Sequence, residues 1–447
     1  MPVRGASGQV IVGAWLHRDC ARGCAGDKMA VKRLRNPAGA SGVWGRAMLR
    51  RAKAIRHVLL ASALLGLAAC NSGERPQALP AEGLSAAEVV GFGSIRFWGD
   101  AVVPTTSKYL DIQYRQIAAS GCGKCQAAAT FLAISGGSGE GAYGAGFLKG
   151  WSARGDRPQF EVVTGVSTGS LAAPFAFLGS HYDGALEEIY TRYGDNELFR
   201  SKGVLGLFGE SLYDTTPLRH LVERYATEQL LDEIAAEHRK GRRLLVQTTN
   251  LDAQRPVIWD VGSIAASQQS GRQKLFVDIL LASAAIPAVF PAVRLNVESN
   301  GKVFDELHVD GGVTSQIFFA PPGLDLNGAA RRNLGQERSL ALYVIRNGKL
   351  KPEYKASTQT VAGLATRSIS TLVKYQALAN IAAISAMAKR MHARFAFTAI
   401  PDAFQGNQRS EFDTEYMKAL FRLGYEQGRS GKAWETQPPL SPTLASR

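Results

Sequence analysis

Residues 162–179 read Val-Val-Thr-Gly165-Val-Ser167-Thr-Gly169-Ser-Leu-Ala-Ala-Pro-Phe-Ala-Phe-Leu-Gly179. An apolar run, Phe160–Thr164, predicts a buried strand, and Ser170–Leu178, rich in Ala and Phe, predicts a helix. Between them stands Gly165-x-Ser167-x-Gly169. Strand, Gly-x-Ser-x-Gly, helix is the setting in which the pattern means a nucleophile elbow. The glycines permit the tight turn that pushes a serine hydroxyl out of the backbone. The helix N-terminus behind it favours negative charge.

Upstream, Phe131–Ser135 predicts another strand and Ala142–Trp151 a helix. The loop between them is Ser135-Gly136-Gly137-Ser138-Gly139-Glu140-Gly141. Four glycines in seven residues leave backbone N–H groups open to an anion or an oxyanion. Gly139-x-Gly141-x-x-Gly144 also fits a dinucleotide fingerprint. That reading needs an acid at the end of the next strand to hold a ribose. The strand ends in Thr164-Gly165 instead, and Glu161 sits near its beginning.

Downstream, Leu307–Asp310 predicts a strand end before Gly311-Gly312, which places a carboxylate on a tight turn where a sheet stops. Ligand sites of open α/β sheets lie at such ends. Further strands are predicted at Arg243–Thr249, Val257–Val261, Leu340–Arg346 and Arg394–Ile400. Helices are predicted at Leu275–Ala285, 360–390 and Glu411–Tyr425. This alternation predicts an α/β fold, a three-layer α/β/α sandwich around a mostly parallel sheet.

The chain has 447 residues, 45% hydrophobic and 20% charged, and a formal net charge of +14. Residues 1–57 carry 12 of the 52 basic residues and only 2 of the 38 acidic ones, which leaves the remainder at +4. The balance gives no reason to invoke nucleic acid as a partner. No run of 18 uncharged apolar residues offers a spanning helix.

Residues 50–57 form a basic stretch, followed by twelve uncharged, mostly apolar residues, Val58 to Ala69, and then Cys70. A basic region, a short apolar region and small residues before the cut describe an export signal, 48–69. The ending Leu67-Ala68-Ala69-Cys70 resembles the lipobox of bacterial lipoproteins. That resemblance implies lipidation of Cys70 and attachment to the cell-envelope membrane. Asn71 after the cysteine resembles lipoproteins sent on to the outer membrane, facing the periplasm. Met48 makes a good start for such a signal, so 1–47 read as a non-native or unstructured leader, and Cys20 and Cys24 carry no metal role.

Residues 71–90 read as a tether, 70–128 together as tether and N-terminal extension, 129–430 as the hydrolase domain, and 431–447 as a flexible tail. Within 91–128 no clear period stands out. Cys122 and Cys125 form a lone C-x-x-C, which in an exported chain reads as a local disulfide. No His/Cys/Asp/Glu pattern implies a metal, and no cofactor is called for.

The stretches 134–151, 162–179 and 308–312, in this order, resemble the patatin-like phospholipases. LLASAAIPAVFPAV at 280–293 is similar to the family's Ser/Ala-rich helix ending in Pro. The resemblance covers roughly 130–430 and implies patatin-like topology and hydrolysis of lipid acyl esters, of phospholipase or lysophospholipase type. It implies a Ser–Asp dyad, with Ser167 as nucleophile and Asp310 as base, ionised at neutral pH from a reference pKa of about 3.9. Backbone N–H groups of Gly136, Gly137 and Ser138 would form the oxyanion hole, and the substrate would be a membrane lipid. The motif glycines are Gly139, Gly141, Gly165, Gly169, Gly311 and Gly312.

One departure stands out. The family loop often reads Gly-Gly-Gly-x-Arg/Lys-Gly, whereas this chain has Ser138 for the third glycine and Glu140 for the cation. An inward-pointing carboxylate would repel an oxyanion, so Glu140 is expected to point away, in the first turn of the helix.

Two other readings compete. A Ser-Asp-His triad of the α/β-hydrolase type requires a histidine after Asp310, and of His181, His220, His238, His308 and His392 only His392 qualifies. His308, two residues before Asp310, reads as an assistant or a packing residue. A catalytically inactive structural lipoprotein of the envelope would have no need of Ser167 with Asp310.

Overall fold

The computed structural model describes Arg75 and residues 77–438. The leader 1–47, the signal 48–69, Cys70, Asn71 and the last nine residues of the tail lie outside the described residues. Twelve strands are present among the described residues. They are β1 (Glu88–Val89), β2 (Arg96–Trp98), β3 (Ala128–Ile134), β4 (Val162–Val166), β5 (Arg200–Ser201), β6 (Tyr213–Asp214), β7 (Arg243–Asn250), β8 (Arg255–Asp260), β9 (Val293–Ser299), β10 (Lys302–Asp310), β11 (Ser339–Arg346) and β12 (Arg394–Ala399). Ten of them make one sheet, in the order β1-β9-β10-β7-β4-β3-β11-β12, with β8 also on β7 and β2 on β8. The central five, β12, β11, β3, β4 and β7, are parallel neighbours. The outer strands pair antiparallel, and only β1, β8 and β10 run against the common direction.

Alternate residues of β3 supply the two faces. Leu132 and Ile134 enter one apolar core, with Phe147 of the helix Gly141–Arg154 and Leu420 of the helix Thr414–Ser430. Phe131 and Ala133 enter the other, with Tyr114 of the helix Pro104–Ala119 and Ile381 of the helix Val361–Arg390. A sheet covered on both faces is the three-layer α/β/α sandwich that the strand-helix alternation predicts.

The strand β7 acts as a ruler. Val166 of β4 lies opposite Gln247, and Asp310 of β10 lies opposite the next residue, Thr248. Both neighbours occupy the same edge of β7, because β8 fills the other. The two strand ends that carry Ser167 and Asp310 are thereby brought side by side.

Several boundaries differ from expectation. The turn-rich stretch 91–128 contains the sixteen-residue helix Pro104–Ala119, which buries Leu110, Tyr114 and Ile117 at helical spacing. The tether reading fails from about Leu79 onward: Leu79 is buried, its N–H donates to the Asp305 carbonyl at 3.1 Å, and β1 pairs with β9. The tail is built in as far as Glu435: Trp434 packs on Phe147 and Trp151 with ring centroids 4.9 and 4.8 Å apart, and Glu435 exchanges backbone hydrogen bonds with Phe397 at 2.8 Å. Cys122 and Cys125 are joined by a disulfide.

The helices Gly141–Arg154 and Thr414–Ser430 approach each other backbone to backbone. A Cβ on Gly146 would strike the Phe421 carbonyl and one on Gly150 the Tyr425 carbonyl. Reciprocally, Gly424 lies against the Tyr143 carbonyl and Gly428 against that of Phe147. Glycines four apart on both partners make this contact possible.

Candidate active site

Ser167 sits between β4 and the helix Thr168–Leu178 with φ 54° and ψ −127°. A non-glycine residue at positive φ is strained, and such strain concentrates at functional sites. Gly165 and Gly169 make the turn possible, since a Cβ on Gly165 would stand 2.5 Å from the Gly169 carbonyl oxygen. The Ser167 N–H donates to the Ser283 hydroxyl at 3.0 Å, and that hydroxyl donates to the Gln247 carbonyl at 2.7 Å. The helix Arg272–Ser283 therefore fixes the elbow through its last residue.

Asp310 ends β10, buried beside Ser167. Its Oδ1 accepts the Gly312 N–H at 2.7 Å. Burial pushes its pKa up to about 6, with the neighbouring Ser167 side chain and the Gly312 N–H opposing the rise. The group is thus ionised at neutral pH by a narrower margin than its reference value suggests.

The glycine loop lies across from the serine. The Gly136 N–H donates to the Gln316 carbonyl at 3.3 Å, which corrects the expectation that it faces an oxyanion. What Gly136 contributes is room, for a Cβ there would stand 3.1 Å from the Ser167 Cβ. Gly137 at φ 151° and Ser138 at φ 48° turn the chain sharply, and neither N–H has an acceptor among the described residues. Ser138 and Ser167 line one cavity together.

Two residues that sequence reasoning missed hold this loop. Buried Arg346, the last residue of β11, donates from Nη1 to the Gly136 carbonyl at 2.9 Å and to the Ser135 hydroxyl at 3.2 Å. Asn347 donates from its N–H to the Ser135 hydroxyl at 2.8 Å and from Nδ2 to the Ser135 carbonyl at 2.9 Å, while its Oδ1 accepts the Gly144 N–H at 3.0 Å. The available sequence signal was a cation followed by an amide, Arg346-Asn347, at the carboxyl end of a predicted parallel strand.

Glu140 lies in the short turn before the helix Gly141–Arg154, off the cavity wall. Its Oε1 accepts the Tyr416 hydroxyl at 3.4 Å. Burial raises its pKa, and the attraction of Arg346 opposes that. The charge of Arg346, supplied from β11, thus favours the ionised carboxylate.

The cavity beside Ser167 measures about 80 Å³ and is walled almost wholly by apolar side chains, including Leu171, Phe175, Leu221, Phe276 and Phe290. No histidine lines it. His308 is buried with both ring nitrogens engaged, by Thr248 at 2.9 Å and Glu306 at 3.0 Å, which makes it a packing residue. His392 is exposed in the turn before β12. That turn lies at the amino edge of the parallel strands, whereas Ser167 lies at their carboxyl edge. The triad reading is overturned by topology.

Residues 132–321 match the family model of patatin-like phospholipases. No curated protein sequence gives a significant match. Among solved structures, VipD from Legionella pneumophila aligns with 69% of this chain and 68% of its own, at 12% identity and a TM-score of 0.34. Residues 132–321 of this chain are a patatin-like phospholipase domain, a domain of the lipid acyl hydrolase class.

Proposed function

We propose that the protein is a serine hydrolase of lipid acyl esters that works through Ser167 and Asp310. The observation that carries this reading is a strained serine, beside a buried carboxylate, at the wall of an apolar cavity. Asp310 accepts the proton of the Ser167 hydroxyl as Oγ attacks the ester carbonyl. The oxyanion that forms lies against the open N–H groups of Gly137 and Ser138 and the start of the helix Thr168–Leu178. Asp310 returns the proton to the departing alcohol, leaving an acyl-enzyme on Ser167. It then takes a proton from water, which attacks the acyl carbonyl, and passes that proton to Ser167 Oγ as the fatty acid leaves. The apolar cavity suits the acyl chain, as burial of methylenes favours binding by about 0.8 kcal/mol each.

The test is labelling by a fluorophosphonate probe, followed by lipid product analysis with wild type and Ser167→Ala. Ser167-dependent labelling and fatty acid release support the reading. A folded protein that neither labels nor releases fatty acid is the inactive structural lipoprotein instead. The lipobox resemblance supports anchoring through Cys70, and Cys70→Ser should then release the protein from the membrane fraction.

A further inference from the structure

The helix Val361–Arg390 divides into two unlike halves. From Ala377 onward it is built into the core, through Ala377, Ile381, Ile384 and Ala388. Before that point it projects. At 100° per residue, Val361, Leu364, Ala365, Ile369, Leu372 and Tyr375 fall on one stripe, while Arg367, Ser370 and Lys374 fall on the other side. In a helix of a soluble domain the apolar stripe turns inward; here it is exposed, from 52% at Leu364 to 89% at Val361. The polar side is the one that turns back to the protein: Arg367 donates to the Glu353 carbonyl, and Lys374 donates to the Lys351 carbonyl at 2.7 Å and to Glu353 Oε2 at 3.0 Å.

The stripe is continuous with the candidate active site. Gln376, the next residue after Tyr375, accepts from Gln316 Nε2 at 3.1 Å. Asn380 Oδ1 accepts the N–H groups of Gln316 and Ile317 at 2.9 and 3.2 Å. Gln316 in turn holds the Gly312 carbonyl, two residues after Asp310, and the Gly136 N–H. Residues 349–375 carry five basic side chains, Lys349, Lys351, Lys355, Arg367 and Lys374, against the single acid Glu353. An apolar stripe with basic flanks is the pattern of a helix that lies in a membrane interface.

We infer that the stripe Val361–Tyr375 is the face by which the protein docks on an anionic lipid surface, with the Ser167–Asp310 site held at that surface. The inference rests on the lipid-ester reading for the substrate, though binding and turnover test it separately. A helix lying in the interface places its apolar stripe among the acyl chains and Lys351 and Lys355 among the head groups. The active-site loops are then carried to the lipid by their bonds to Gln376 and Asn380.

The test compares the full chain carrying Cys70→Ser, so that no lipid anchor contributes, with the same protein carrying Leu364→Glu and Leu372→Glu. Both leucines are exposed, so the substitutions leave the core intact, and denaturation midpoints check this. Sedimentation with phosphatidylcholine/phosphatidylglycerol vesicles should show binding weakened by at least about tenfold, since two buried apolar side chains are lost. Turnover of vesicle lipid should fall in parallel, while turnover of a soluble short-chain ester stays unchanged. Equal vesicle binding by both proteins overturns the inference. So does a wild-type dimer that the substitutions split without change in vesicle binding, which would assign the stripe to a second copy. If no ester is turned over but binding falls, the docking face stands and the catalytic reading fails.

Discussion

The Arg346 guanidinium and the Gly136 carbonyl are joined by a 2.9 Å hydrogen bond across 210 residues of sequence. Through it, β11 fixes the loop whose next two N–H groups are open beside Ser167. Arg346→Lys and Arg346→Gln should lower kcat by roughly 10- to 100-fold with KM little changed, the cost typical of a small misplacement in a preorganised site. Both bonds come from Nη1, at the end of a planar guanidinium whose length and orientation a lysine ammonium does not reproduce. Steady-state kinetics on a soluble ester check this, with a denaturation curve confirming the fold. A rise in KM alone would make Arg346 a substrate-binding group.

The buried Asp310 should set the pH dependence. In the proposed mechanism its ionised form is the base, so kcat/KM should fall with unit slope below about pH 6 and be flat above it, up to pH 8. A midpoint near 4 in the pH–rate profile would contradict the burial that raises this group.

The same shift has a stability consequence. The folded state holds the Asp310 proton more tightly than the unfolded chain, so stability is lost as pH rises from 3.8 through about 6. A shift of this size corresponds to about 3 kcal/mol. Asp310→Asn, which has nothing to ionise, should match wild type at pH 3.5 and exceed it by up to about 3 kcal/mol at pH 7. Urea unfolding at the two pH values measures the difference.

Ser167→Ala and Asp310→Asn should each abolish most turnover, and the double variant should be scarcely worse. Groups that serve one step are strongly non-additive. Losses that multiply in a double-mutant cycle would separate the two residues mechanistically.

Glu140→Gln should leave turnover of a neutral ester nearly unchanged, because the carboxylate lies off the cavity wall. Glu140→Arg restores the common family pattern in sequence, yet it would set a second cation against buried Arg346. It should therefore destabilise the protein, by about 1–3 kcal/mol, and lower turnover on neutral and anionic lipids alike. Thermal unfolding and kcat/KM on both substrates read the outcome. An anionic-lipid preference gained without loss of stability would show that the two positions are independent.

The parts of the fold that were legible are those where local sequence and final environment agree. β3 and β4 are buried on both faces and read as continuous apolar runs ended by glycine. The elbow, the glycine loop and Asp310-Gly311-Gly312 were legible because tight turns demand residues that few other contexts require. β9 was missed although Val293, Leu295 and Val297 alternate with Arg294, Asn296 and Glu298 as a half-buried strand at a sheet margin should. The helix Pro104–Ala119 was missed because polar side chains separate its buried positions. Arg346 was missed for another reason: a loop's clamp is defined by strand neighbours, and β11 joins β3 from far along the chain.

The glycine-lined crossing of the helices Gly141–Arg154 and Thr414–Ser430 bears on where the working unit ends. The first of these helices begins where the Gly136–Gly141 loop stops, and the second begins nearly a hundred residues past the 321 boundary of the family match. A fragment cut at residue 321 would keep Ser167, Asp310 and every loop glycine, yet it would lack β11 with Arg346 and the helix that seats against Gly146 and Gly150. The matched region is the heritable signature, while the smallest piece that can be inherited with its chemistry intact runs at least to Ser430.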